Sequence, residues 1–72
     1  MHDISPETLR FIEENAPDFV LAVQHAKEVA DQKQKPAKLK VVLETFEDDP
    51  FLLYACLWLA LSEGVEIRLM AK

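Results

Sequence analysis

The residues able to do chemistry are few and scattered. The chain has one cysteine, Cys56, and two histidines, His2 and His25. Its only hydroxyls besides that of Tyr54 are Ser5, Ser62, Thr8 and Thr45. A nucleophilic thiol needs partial exposure and a neighbour that lowers its pKa. Cys56 instead stands between Ala55 and Leu57 in the most apolar stretch and reads as a buried core cysteine. His25 falls on a helical pattern near Leu21 and Val29 and reads as a boundary residue, because no partner for a base or a metal converges on it. His2 reads as part of a frayed terminus. Ser5 reads as a helix cap, and Ser62 has no nearby base, so a Ser–His–Asp arrangement is excluded.

Charged groups give two further candidates. Glu44, Glu47, Asp48 and Asp49 could face a hard cation, yet they lack the alternating oxygen ligands and the central glycine of a calcium loop. Asp49 is better placed as the N-cap of the helix that follows, with the other acids in a solvated loop. Lys27, Lys33, Lys35, Lys38 and Lys40 put five of the 8 basic charges into fourteen residues. No aromatic residue is interleaved with them, so base stacking is not expected and the lysines read as a solvated linker. A single glycine leaves no phosphate-cradling loop and no dinucleotide fingerprint. No catalytic, cofactor-binding or metal-binding residue is therefore expected, and the chain reads as a non-enzyme.

Positioning these residues falls to a chain of 72 residues with 13 acidic and 8 basic side chains, for a formal charge of -5. That balance argues against nucleic acid and anionic membranes as partners. The longest apolar run, Phe51 to Leu61, is too short for a membrane span, which takes about 20 residues. Acidic side chains occupy the place where a secretory signal would have its apolar centre, so a cytoplasmic protein is expected. A chain this short makes one domain (1–72), and its core supplies only about 3–5 kcal/mol. With no disulfide and no zinc set, reinforcement by a homo-oligomer is expected, a dimer first, with a separate protein partner as the other possibility.

Four prolines punctuate the chain at Pro6, Pro17, Pro36 and Pro50. Ser5-Pro6 predicts an N-cap and first turn for a helix over about 6–14, with Ile4 and Leu9 as a hydrophobic staple. A second helix is expected over about 17–32, its buried stripe being Phe19, Val23, Ala26 and Ala30, widened by Val20 and Val29. A third should run from Pro50 to Glu63, with Gly64 just past its end. Val65, Ile67 and Leu69 then alternate with Glu66 and Arg68 and predict a strand over about 65–70.

Residues 38–46 fit both a helical and a strand period. As a helix they would carry Lys35, Lys38 and Lys40 at the N-terminus and Glu44, Glu47, Asp48 and Asp49 at the C-terminus, opposing the macrodipole at both ends. A strand is therefore favoured. The expected fold is α/β: two N-terminal helices (about 6–14 and 17–32) followed by a strand–helix–strand unit (about 38–46, 50–63 and 65–70). The alternative is an all-α four-helix module with a short C-terminal strand, in which 36–48 and 50–63 form a helix-turn-helix. Its recognition helix would be apolar, with nothing to read base edges.

The run Lys38-Leu39-Lys40-Val41-Val42-Leu43-Glu44 through Asp48-Asp49-Pro50, continued by Ala55-Cys56-Leu57-Trp58-Leu59-Ala60-Leu61-Ser62-Glu63-Gly64-Val65-Glu66-Ile67-Arg68-Leu69, resembles the first strand–helix–strand of DsrE-like sulfur-relay proteins. The resemblance implies an oligomeric α/β protein and a link to sulfur transfer. It carries over topology and no catalytic residue: the family's reactive cysteine follows a later strand, whereas Cys56 lies in mid-helix, and the N-terminal half here is helical.

The crossover helix is the feature with functional content. Phe51, Tyr54, Trp58 and Leu61 recur on it at helical spacing, and a helix apolar almost all round must be covered on more than one side. Large aromatics are enriched at interfaces. The expected contact surface for a second chain is Phe51, Tyr54, Trp58, Leu61, Val65, Ile67 and Leu69. Where Trp58 is buried, its truncation to Ala is expected to cost about 3–5 kcal/mol. The sequence thus reads as a small, acidic, self-associating interaction or regulatory module.

Overall fold

Proline and capping chemistry set out the helices. In the computed structural model, which describes residues 3–42, 46 and 49–71, helix α1 spans Pro6–Asn15. Ser5 is extended (φ -69°, ψ 150°), and its Oγ accepts a hydrogen bond from the Thr8 N–H at 3.2 Å. Asn15 belongs to the helix, one residue beyond the expected end, and its Nδ2 donates to the Phe11 carbonyl at 2.8 Å. Ala16 then leaves the helical region (φ -145°, ψ 58°) because it precedes a proline, whose ring disfavours the α conformation there. This one residue closes α1, donating its N–H to Ile12 O at 2.7 Å, and opens α2, accepting from the Phe19 N–H at 3.0 Å.

Helix α2 spans Pro17–Lys33 and buries the expected stripe, with Val23 and Ala30 in the core and Phe19, Val20, Ala26 and Val29 partly covered. It ends on Gln34 in the left-handed region (φ 54°). The Lys35 N–H reaches Ala30 O at 3.0 Å and the Gln34 N–H reaches Asp31 O at 3.3 Å, the paired closing bonds of a Schellman motif.

Strand β1 spans Lys38–Val42. Helix α3 spans Pro50–Ser62, and strand β2 spans Glu66–Met70. The strands pair in parallel, Lys38 opposite Glu66 through Val42 opposite Met70. The chain is thus mixed α/β, and the all-helical alternative is overturned by β1, which lies where that arrangement needs a helix. Residues 43–45 of the expected longer strand lie outside the described residues. Phe46 is not a strand residue: its carbonyl accepts from the Asp49 N–H at 3.0 Å. Its buried ring meets Phe19 edge to face, centroids 6.1 Å apart at 81°.

Helix α3 closes as α2 does, now on Gly64 (φ 74°), with Gly64 N–H to Leu61 O at 3.1 Å and Val65 N–H to Ala60 O at 2.8 Å. This is why β2 begins at Glu66 and not at 65: the Val65 N–H is already committed to the helix end.

Helix α2 packs on β1, α3 packs on β2, and α1 packs against both of those helices. One part of the core holds Ile12, Val41, Phe46, Cys56 and Leu59, and another holds Val23, Ala60 and Val65. Phe19, Leu39 and Ile67 pack against both. Strand residues alternate in facing, so Leu39, Val41 and Ile67 turn to the helices while Lys38, Lys40, Val42, Glu66, Arg68 and Met70 stand exposed on the other face.

The two Schellman ends make opposite predictions. A residue other than glycine in the left-handed region is strained by roughly 1 kcal/mol, so Gln34→Gly should raise the unfolding free energy by about 0.5–1 kcal/mol. A Cβ added at Gly64 meets nothing within 4 Å, so Gly64→Ala should cost only the backbone strain, about 1 kcal/mol. Urea unfolding of both variants checks this, and shifts of the same sign would contradict the two assignments.

Candidate functional site

Asp49 starts α3 as an N-cap, its Oδ1 accepting from the Leu52 N–H at 3.0 Å. From Pro50 to Leu61 the helix then contains no charged side chain. Cys56, Leu59 and Ala60 turn into the core. Phe51, Tyr54, Trp58 and Leu61, spaced i, i+3, i+7 and i+10, share the other side and are 79, 71, 44 and 50% exposed. These four present on the order of 500 Å² to solvent, taking roughly 150–250 Å² for a large side chain. A patch of that size is what the largest apolar patch of a monomer commonly reaches, and such patches are often functional. At 44% exposure, Trp58 is no core residue, and the truncation cost of a fully buried ring does not apply to it.

The three strand-side members of the expected contact surface divide differently. Leu69 is 45% exposed although it occupies an inward position, because the helix layer leaves it partly uncovered. Val65 is a correction: it is buried against Val23 and Ala60, held there by the bond from its N–H to Ala60 O. Ile67 is half-buried and packs against both parts of the core, so its side chain is largely interior. The exposed pair Val42 and Met70, opposite each other on the outer sheet face, was missed. Val42 could be assigned outward only once 38–42 was known to be a strand with Val41 inward.

The chemistry-bearing residues do not converge. Cys56 is fully buried, and burial pushes its thiol up to about 11, away from the thiolate that nucleophilic attack requires. His25 is exposed on α2. The Ser62 hydroxyl donates to Leu59 O at 2.8 Å, within its own helix. Among the described residues no three His, Cys, Asp or Glu side chains come together as a metal set; His2, Glu44, Glu47 and Asp48 lie outside them.

Lys27 leaves the lysine group to reach Glu63 at 2.7 Å, a bond that ties α2 to the end of α3 and raises the Lys27 pKa above its ordinary value. Both side chains remain nearly half exposed, so the pair adds little stability. Lys38 stands 3.9 Å from Glu66 across the sheet. The cleft beside β1, about 460 Å³, is lined mainly by apolar groups such as Ala16, Phe19, Leu39, Phe46 and Leu52, with Asn15, Asp18 and Lys40 its polar side chains. Nothing in it pairs a nucleophile with a base.

Comparison with protein families, curated proteins and solved structures finds no match to this chain. The fold and the surface nonetheless define a class: a small mixed α/β protein whose parallel strand–helix–strand unit leaves one side of its crossover helix apolar and open. Among the described residues, no helix is long and apolar enough to cross a membrane.

Burial of Cys56 has a direct readout. Iodoacetamide at mildly alkaline pH should leave the thiol unlabelled in native protein and label it fully in denaturant. Equal labelling rates in the two conditions would place the thiol at the surface.

Proposed function

We propose that this chain is a self-associating interaction or regulatory module, not an enzyme, and that it dimerises through the apolar side of α3. The observation that carries this reading is the exposure of Phe51, Tyr54, Trp58 and Leu61 on one side of a helix with no charge between Pro50 and Leu61.

A specific interface takes about 800 Å² from each partner, of which the α3 side supplies more than half. A core of this size is also marginal by itself, and association adds the apolar burial that a short chain lacks. A reducing cytoplasm suits a protein whose single thiol is unpaired and buried.

Sedimentation equilibrium in the micromolar range tests the reading. The wild-type chain should sediment at twice 8.2 kDa. Phe51→Glu should sediment as a monomer with an unchanged far-ultraviolet circular dichroism spectrum, since an acid in the first turn suits the helix dipole. A wild-type chain that stays monomeric throughout that range would overturn the proposal.

A further inference from the structure

We infer that the second copy docks along the free edge of β2, antiparallel to it and in a register centred on Ile67, so that two sheets join as β1–β2–β2–β1. This rests on the self-association proposed above and specifies its geometry.

Among the described residues the sheet has two strands, which leaves each with one edge that no strand pairs. The β1 edge is a poor seam for a second copy. It carries exposed Lys38 and Lys40, and a β1–β1 contact would align four lysines, the charge most often used to keep edges apart. The β2 edge carries one acid and one base, Glu66 and Arg68, two residues apart on the same outer face.

Backbone direction selects the residues that can bond. The Glu66 N–H points toward the β1 side, where it donates to Ala37 O at 2.8 Å. Backbone groups alternate in direction along a strand, so Ile67 and Leu69 turn their N–H and C=O groups to the open edge. An antiparallel seam centred on Ile67 pairs that residue with the partner's Ile67 through two hydrogen bonds. It also sets the Leu69 N–H against the carbonyl of the partner's Val65. That carbonyl can accept even though the Val65 N–H is already bonded to Ala60 O.

Charge then separates this register from its neighbours. Directly opposed residues of an antiparallel pair face the same side, and a two-fold axis through the seam keeps both helix layers on one face. Only registers centred on a residue satisfy both conditions. Centring on Glu66 opposes two glutamates, and centring on Arg68 opposes two arginines. Centring on Ile67 opposes Glu66 to the partner's Arg68, and Arg68 to the partner's Glu66. Within one protomer Arg68 lies across from Lys40, a like charge. The partner's Glu66 supplies the opposite charge that Arg68 lacks there.

Helix α3 is the one packed on β2, so joining β2 edges places the α3 helices of both copies on the same face of the joined sheet.

Two charge reversals test the register. Glu66→Arg and Arg68→Glu each place like charges opposite one another twice, and each should weaken the homodimer by roughly tenfold or more. Mixed in equal amounts they should form a heterodimer with near wild-type affinity. One copy then carries two bases at positions 66 and 68 and the other two acids, so both pairs across the seam are again opposite in charge. Sedimentation equilibrium of the separate and mixed variants, with thermal melts to confirm folding, reads this. Arg68→Glu should not destabilise the isolated protomer, since it replaces a like-charge neighbour of Lys40 with an opposite one. A wild-type dimer that is lost in Phe51→Glu but indifferent to both reversals would overturn the β2 register and leave α3-mediated association standing. Weak single variants that fail to recover on mixing would overturn the register as well. A monomeric wild-type chain would overturn both proposals.

Discussion

The helix that joins two parallel strands cannot choose its neighbours. Topology lays it across the sheet it connects, and a sheet of two strands is too narrow to bury a helix that is apolar all round. In this chain α3 turns Cys56, Leu59 and Ala60 inward and leaves Phe51, Tyr54, Trp58 and Leu61 outward. The two N-terminal helices reduce the mismatch without removing it. Helix α1 covers part of α3, and α2 covers β1. The remainder is an apolar helix side left exposed to solvent.

The ends of the elements show how little slack the design has. Ala16 closes one helix and opens the next in a single residue, which fixes the angle at which α1 returns over α2 and α3. The bond from Val65 N–H to Ala60 O turns the chain from α3 straight into β2 and draws Val65 beneath Ala60 and Val23. The Lys27–Glu63 bond joins α2 to that same corner. Three elements meet around the Ala60–Val65 closure, and the only glycine in the chain is used there, at the position whose φ of 74° requires it.

Much of this was legible because a few residue types have narrow physical uses. Proline at the first helical position, Ser5 and Asp49 as caps and Gly64 as a terminator placed all three helices to within a residue. The macrodipole identified β1: lysines at the front and acids at the back of 38–49 would have opposed a helix at both ends. Other features were hidden for equally specific reasons. A helix of uniform hydropathy has no moment, so the outward side of α3 could be named only as a set of large residues, and Val65 was swept into that set because its alternation with Ile67 and Leu69 is that of a strand. Phe46 was drawn into the expected strand because it continues the apolar pattern, whereas its carbonyl bonds to the Asp49 N–H at the start of α3. Gln34 in the left-handed region could not be foreseen from a polar run with no glycine in it.

The strand–helix–strand unit is where a likeness to sulfur-relay proteins was expected, and Cys56 shows how topology and thiol reactivity are set by different features. Topology is set by alternation and apolar content, which any buried parallel unit shares. Thiol reactivity is set by local exposure and charge, and here it is suppressed: the sulfur is enclosed with Ile12, Val41, Phe46 and Leu59, and burial alone drives its pKa up to about 11. An uncharged thiol of that size fills the space of a small hydrophobe between helix and sheet. The same unit that turns the thiol inward leaves Glu66 and Arg68 of β2 and the aromatic side of α3 exposed.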